Sequence, residues 1–244
     1  MSIKSCRTDP WAWTMEEMSR EKSTISRSAI DTEQRSADRV AIRSQRQKAQ
    51  RIREEESIAI LTAVPWCASM LRDPALTVHR SRSRVMPSHN NSDAFYGQLL
   101  SSKDTVRAQV MLRSQKHASS ANPRIEETII LLALGPMLTG HANVAHGGLV
   151  ATLLDETLGL LINVNEDIEK EVNPAHRYKQ IMTKYLNLTY NKPVPAPGVI
   201  MTRARFLRVE GRKRFIKGTI EDENGAVLTE ADALFLELKQ RLKL

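Results

Sequence analysis

Apolar positions are spread unevenly along this chain, and the unevenness divides it. Over residues 1–56, isolated apolar residues such as Val40, Ile42 and Ile52 sit among Arg, Lys, Glu, Gln and Ser and make no continuous stripe. That pattern predicts a disordered segment or a solvated polar helix. At Ile58 the character changes: IAILTAVPWCASML is apolar and broken by Pro65, which predicts short helical turns on either side of the proline. Residues 75–91, rich in Arg, Ser, Pro and Asn, read as a linker, and Ser92-Asp93 then caps a short helix through Leu100.

Strand patterns follow. Thr105–Arg113 alternates in part, and Glu127–Leu134 is continuously apolar, as a strand covered on both faces would be. Four more strands are expected at Ile181–Tyr190, Val199–Val209, Phe215–Glu221 and Ala226–Leu238. The turns between them carry Pro, Gly, Asp and Asn, with Asp222-Glu223-Asn224-Gly225 the clearest hairpin.

Between the two sets of strands lies GHANVAHGGLVATLLDETLGLLI, from Gly140 to Ile162. Read as a helix from near His146, it puts Gly148, Ala151, Thr152, Asp155 and Gly159 on one stripe of small residues around one carboxylate. Its other faces carry Leu149, Val150, Leu153, Leu154, Leu158, Leu161 and Ile162, so a buried helix is expected. The Asn-, Asp-, Glu- and Lys-rich stretch after it, through Tyr178, is expected to be an exposed loop. One long helix followed by antiparallel strands predicts an α+β domain with a sheet wrapped around that helix. The expected organisation is an extension at 1–56, a helical lead-in and linker at 57–104, and a main domain at 105–244.

Composition narrows the function. The chain has 244 residues and a net charge of +8, with the basic excess concentrated between Arg72 and Arg124, including Arg80, Arg82 and Arg84. That surplus suits an anionic partner but is also what a solvated surface carries. Only Cys6 and Cys67 are present, without metal-ligand spacing, so neither disulfide staples nor a zinc site is expected. His141 and His146 are a poor metal pair. No apolar run in the sequence reaches the ~20 residues of a membrane-spanning helix. Asp9, Glu16, Glu17 and Glu21 argue against a mitochondrial presequence, and the terminal Leu-Lys-Leu only loosely approaches a peroxisomal tripeptide. An intracellular, cytoplasmic protein is expected, with mitochondrial and peroxisomal locations left open. No Walker loop, dinucleotide fingerprint or nucleophile elbow points to another enzyme class.

The candidate chemistry lies in the central stretch. Gly147 and Gly148 place backbone N–H groups at the positive end of a helix, where an oxyanion could be held. Asp155 on the same helix could activate water or attack a carbonyl itself. Glu156 points about 100° away and reads as structural, or as a reserve base. Taken alone, a Gly-Gly before a helix is a turn, a helical Asp is a solvated residue, and His146 is a cap.

A resemblance adds roles to these residues. His146-Gly147-Gly148 followed by Leu-Val-Ala-Thr-Leu-Leu-Asp155 resembles the signature of hotdog-fold acyl-CoA thioesterases of the PaaI-like and THEM type. The run Met182–Pro193 is similar to the strand after the central helix in that family, and Gly211-Arg212-Lys213 resembles its hairpin. The resemblance covers residues 125–240 and extends weakly upstream to 58. It implies a hotdog fold and hydrolysis of a fatty or aryl acyl-CoA to free acid and CoA, without cofactor or metal. It also implies a homodimer or homotetramer with the site between protomers. His146, Asp155 and Thr183 match the family's catalytic positions, with Thr183 expected from the partner chain, and the Gly147 and Gly148 amides are expected to polarise the carbonyl. Arg203, Arg205, Arg212 and Lys213, with Arg208 and Arg214 nearby, are candidates for the phosphates of coenzyme A. One departure stands out: Gly140 occupies a place where some relatives carry Asn or Gln, and His141 or Asn143 is the available substitute.

Two other readings differ in class. A hotdog regulator that senses acyl-CoA and contacts nucleic acid would need a helix-turn-helix, for which residues 31–56 lack the apolar pattern, so no nucleic-acid partner is expected. A hotdog hydratase or dehydratase would carry a different Asp/His constellation.

Overall fold

The structure, a computed structural model, describes residues 44, 48–79, 81, 93–114 and 125–239. The expectations for Cys6, Arg80, Arg82 and Arg84 lie outside the described residues. Gln50–Leu244 form one compact unit, to which the following account refers.

In chain order the elements are α1 (residues 48–62), α2 (Pro65–Leu71), β1 (Leu76–His79), β2 (Val106–Ser114), β3 (Glu127–Leu134), β4 (Thr139–His141) and β5 (Val144–Ala145). Then come α3 (Gly147–Val172), β6 (Ile181–Tyr190), β7 (Gly198–Glu210), β8 (Lys213–Glu221) and β9 (Val227–Glu237). Seven strands form one antiparallel sheet in the order β1-β2-β3-β7-β8-β9-β6, and β4-β5 form a separate small hairpin.

The continuous apolar run of β3 has the cause its pattern suggests, because both faces are covered. Ile130, Leu132 and Leu134 join the core under α3, whereas Ile129, Leu131 and Ala133 join a second core with Leu61 of α1 and Cys67 of α2. The paired strand β7 alternates in the same sense. Ile200 and Ala204 face α3, and Met201 faces the other layer. The main domain is therefore a sheet with the long helix on one side and two shorter helices on the other.

α3 meets the sheet through Leu153, Leu154, Leu158 and Leu161, all fully buried. Gly218 on β8 permits the approach: a Cβ there would lie 2.9 Å from Leu158 Cδ2 and 3.2 Å from Leu154 Cδ2. Thr157 Oγ1 donates to Leu153 O (2.6 Å) and lies 2.9 Å from Thr202 Oγ1 on β7, so both buried hydroxyls have partners in this contact. At 26 residues α3 is also long and apolar enough to cross a membrane by length and composition, although no shorter stretch of the sequence suggested one. Its buried leucines are instead used against the sheet.

Five expectations need correction. The stretch after Ile162 is not a loop: α3 continues ten residues to Val172, because Val164 and Ile168 extend the buried stripe among polar neighbours. Asn165 joins that extension to the strand side, its Oδ1 accepting from Ile125 N (2.8 Å) and its Nδ2 donating to Ile125 O (2.9 Å). α3 is not covered all round either, since Ala151, Thr152, Asp155 and Gly159 are only half-buried. Residues 76–79, placed in a linker, form the edge strand β1, paired with Met111–Ser114. The short helix near Leu100 is a single π-helical turn, Phe95–Leu99, preceded by Asp93 with a φ of 58°. α1 runs through position 56 without a break, and its Ser57 and Leu61 are buried.

Candidate active site

The start of α3 is held from both sides. His146 N donates to Leu138 O (2.9 Å) and Ala145 N to Val194 O (2.8 Å), which fixes the chain as it turns into the helix. His146 is the N-cap, with φ −61° and ψ 134°, and its Nδ1 accepts from Gly148 N at 3.0 Å. The imidazole thus presents an acceptor at Nδ1 and satisfies one of the unpaired amides of the first turn. This changes the expected oxyanion site, since the Gly148 amide is already used. The Gly147 amide is the donor that remains, with no acceptor facing it among the described residues.

Gly140 explains its own departure from the family pattern. A Cβ at that position would lie 3.0 Å from His146 Cα and 3.1 Å from His146 Cδ2, so an Asn or Gln there would displace the cap. His141 is exposed, and Asn143 takes the left-handed position (φ 59°) of the β4-β5 turn, where its carbonyl accepts from Ala196 N.

Asp155 meets Thr183. The Thr183 Oγ1 hydroxyl donates to Asp155 Oδ1 at 2.9 Å within the same chain, so the expectation that Thr183 arrives from a partner is corrected. The bond engages one oxygen of the Asp155 carboxylate and ties α3 to β6. Tyr190, at the other end of β6, donates to Gly147 O at 3.0 Å and ties the edge strand to the helix start. Sequence reasoning gave Tyr190 no role. A bulge between Thr183 and Tyr185 shifts the inward-facing set from odd to even numbers, and simple alternation misses it.

The distances along α3 matter as much as the contacts. Seven residues separate Gly148 from Asp155, a rise of about 10 Å, and His146 lies further still. A carbonyl oxygen bound at the Gly147 amide of one chain is therefore out of reach of the same chain's Asp155.

The arginine expectations separate. Arg203 lies on the sheet face opposite α3 and is committed to two carboxylates, Glu127 (2.7 Å) and Glu221 (3.2 Å). Arg205, two residues on, shares that face and is exposed. Arg212 donates to Glu237 O (2.9 Å), and Lys213 is exposed at the β7-β8 turn. Arg208 pairs with Glu210 (2.6 Å) and lies 3.6 Å over the Phe215 ring, while Arg214 pairs with Glu237 (2.9 Å). The structure does not gather these cations around Asp155. Among the described residues, no group of three or more His, Cys, Asp or Glu side chains could hold a metal ion.

A long helix entered through His-Gly-Gly, backed by an antiparallel sheet, is the hotdog arrangement, and the thioesterase superfamily profile matches residues 142–229, from the β4-β5 turn into β9. Residues 142–229 are thus similar to the thioesterase superfamily, and the chain has the hotdog fold. It is similar to the mouse acyl-coenzyme A thioesterase THEM4, 32% identical over 124 residues, which are 50% of this chain and 48% of the relative. The rat protein of the same name is 33% identical over 117 residues, 47% of this chain and 45% of that one. A Saccharomyces cerevisiae protein described as the uncharacterized mitochondrial membrane protein FMP10 is 30% identical over 115 residues, 47% of this chain and 44% of its own length. The chain thus spans just under half the length of these curated relatives.

Proposed function

We propose that this chain is an acyl-CoA thioesterase acting as a dimer, in which Asp155 of one protomer works on a carbonyl held at the helix start of the other. The observation that carries the reading is the Thr183–Asp155 hydrogen bond on a helix whose first amide faces no acceptor. The similarity to proteins named acyl-coenzyme A thioesterase supports an acyl thioester of coenzyme A as the substrate class.

Acyl transfer to water needs a base and an oxyanion donor within about 3 Å of one reacting centre. The ~10 Å rise between Gly148 and Asp155 denies this to a single chain. Two copies with antiparallel α3 helices would bring each Asp155 opposite the other's Gly147. The exposed edge strand β6, whose ten residues include the exposed Met182, Tyr185 and Tyr190, offers a surface for such pairing.

In that arrangement Asp155 takes a proton from water as the water oxygen bonds to the thioester carbon. The partner's Gly147 amide stabilises the resulting oxyanion, and collapse expels the CoA sulfur, which recovers the proton. Thr183 holds one carboxylate oxygen so that the other faces the substrate. Direct attack by Asp155, through an anhydride that water then opens, uses the same geometry. The test is thiol release from acyl-CoA by wild-type protein and by Asp155→Asn. Turnover by the wild type that vanishes in the variant supports the reading, and equal turnover by both would refute it.

A further inference from the structure

A cavity of about 430 Å³ lies further along α3, under the β7-β8 hairpin. Its walls include Ile162 and Phe206, and its far end is lined by Glu166, His176, Lys179 and Arg214. On the helix, Asp155, Gly159, Ile162 and Glu166 fall within about 60° of one another, so the cavity and the Asp155 carboxylate share one face. Gly159 stands between them. A Cβ built there meets no atom within 4 Å, which leaves open space along the helix surface from Asp155 toward the cavity.

The two ends of this path differ in polarity. Ile162 and Phe206 offer apolar contact, whereas the far end is lined by paired charges. His176 Nε2 lies 2.9 Å from Glu166 Oε2, Arg214 Nη2 donates to Glu237 Oε2 at 2.9 Å, and Lys179 Nζ lies 3.6 Å from the same oxygen. Glu166 Oε2 also accepts from Lys179 N at 3.0 Å. A methyl terminus driven into this group would strip water from ion pairs without replacing their hydrogen bonds, which is unfavourable.

Resting on the thioesterase reading above, we propose that the cavity receives the distal part of the acyl group and that Gly159 admits it, with the Glu166–His176 pair as its end stop. From Asp155 to Glu166 the helix rises about 16 Å, which accommodates an acyl chain on the order of ten carbons. The substrate class is then medium-chain acyl thioesters, with long saturated chains excluded.

The experiment compares kcat/KM for butanoyl-, decanoyl- and palmitoyl-CoA in wild type, Gly159→Leu, Gly159→Ala, and the double variant Glu166→Leu/His176→Leu. Wild type should prefer decanoyl- over palmitoyl-CoA by tenfold or more. Gly159→Leu should lower the decanoyl-to-butanoyl ratio by tenfold or more, Gly159→Ala by less, and the double variant should raise the palmitoyl-to-decanoyl ratio by fivefold or more. Replacing a helical glycine over open space should not lower the melting temperature, so a folded Gly159 variant is expected. Unchanged ratios in active Gly159 variants, or a wild-type preference for palmitoyl-CoA, would overturn the inference while leaving the hydrolase reading intact. Absence of thiol release from all three substrates by wild type would overturn the hydrolase reading and this inference with it.

Discussion

Thr183 and Asp155 belong to one chain and share a 2.9 Å hydrogen bond, while the Gly147 amide sits about 12 Å away along the same helix. The base and its positioning hydroxyl thus form one half of a site, and the helix start forms the other half.

Asp155→Asn should keep the shape of the side chain and its bond to Thr183 while removing its basicity. Turnover should drop by about a hundredfold or more, with the melting temperature within a few degrees of wild type. Thr183→Ala should cost less, on the order of tenfold, and Thr183→Ser should recover most of it. A loss of melting temperature without a loss of rate in Asp155→Asn would assign this carboxylate to the fold instead.

Complementation tests the division of the site. Gly147 is the first helical residue, and the extended backbone of His146 (φ −61°, ψ 134°) is what a following proline requires. Gly147→Pro should therefore fold and lack the oxyanion donor. Mixed with Asp155→Asn and allowed to exchange subunits, it should recover up to about a quarter of wild-type activity, from the one intact site in each mixed dimer. Mixing Asp155→Asn with Thr183→Ala should recover none, because both lesions fall in the same half-site. Light scattering on the wild type should report at least a dimer, and an active monomer would rule the scheme out.

The Thr157–Thr202 pair makes a stability prediction. Thr157→Val leaves the Thr202 hydroxyl buried without this partner and should cost about 1–3 kcal/mol by urea unfolding. The double change Thr157→Val/Thr202→Val should return part of that loss. Additive destabilisation in the double variant would show that the two hydroxyls do not depend on each other.

Arg203 should behave as a structural cation. Arg203→Met leaves Glu127 and Glu221 facing each other, so thermal stability should decrease, while KM for acyl-CoA should change less than twofold. A large rise in KM with no change in melting temperature would restore Arg203 to the phosphate-binding role first expected of it.

Burial pushes the Cys67 thiol up to about 12. In a Cys6→Ser background, Cys67 should resist disulfide reagents at pH 8 and react promptly once the chain is unfolded in denaturant. Because the folded thiol titrates above its ordinary value of 9.0, stability should be unaffected by this group below pH 9 and decline as pH rises from there toward 12. Rapid native-state labelling would show that α2 leaves the sheet easily.

Much of the sheet was legible in the sequence, and the misses have physical causes. β3 and β6 begin and end where their patterns predict, since an unbroken apolar run and a run bounded by turn residues leave few alternatives. The second half of α3 was hidden because Asn165, Glu166, Asp167 and Glu169 cover a face of the helix that needs no core, while Val164 and Ile168 alone carry its buried stripe. β1 is four residues long, too short to stand out among arginines and serines. Of the site, His146, Gly147, Gly148, Asp155 and Thr183 were all visible as residues. Their grouping was not, because which groups share a half-site depends on helix rise and on a bulge that only the folded chain displays.

The layer formed by α1 and α2 bears on where the chain can be cut. Deletion through Val64 would uncover Val110, Leu112, Ile129 and Leu131 on the sheet face that Leu61 packs against, and soluble protein should be lost. Deletion through Ala49 should leave Gln50–Leu244 soluble, as assessed by yield after centrifugation.

The central pairing of the sheet also sets an order of events during synthesis. Glu127 pairs with Arg205 and Leu134 with Gly198, so β3 waits for β7 while α3 and β6 are made in between. A ribosome that has just released α3 has produced a long apolar helix whose sheet partners β7 and β8 are still to be made. Closing so long a loop is slow, and the nascent leucines of α3 are then a natural binding surface for chaperones until β7 and β8 arrive.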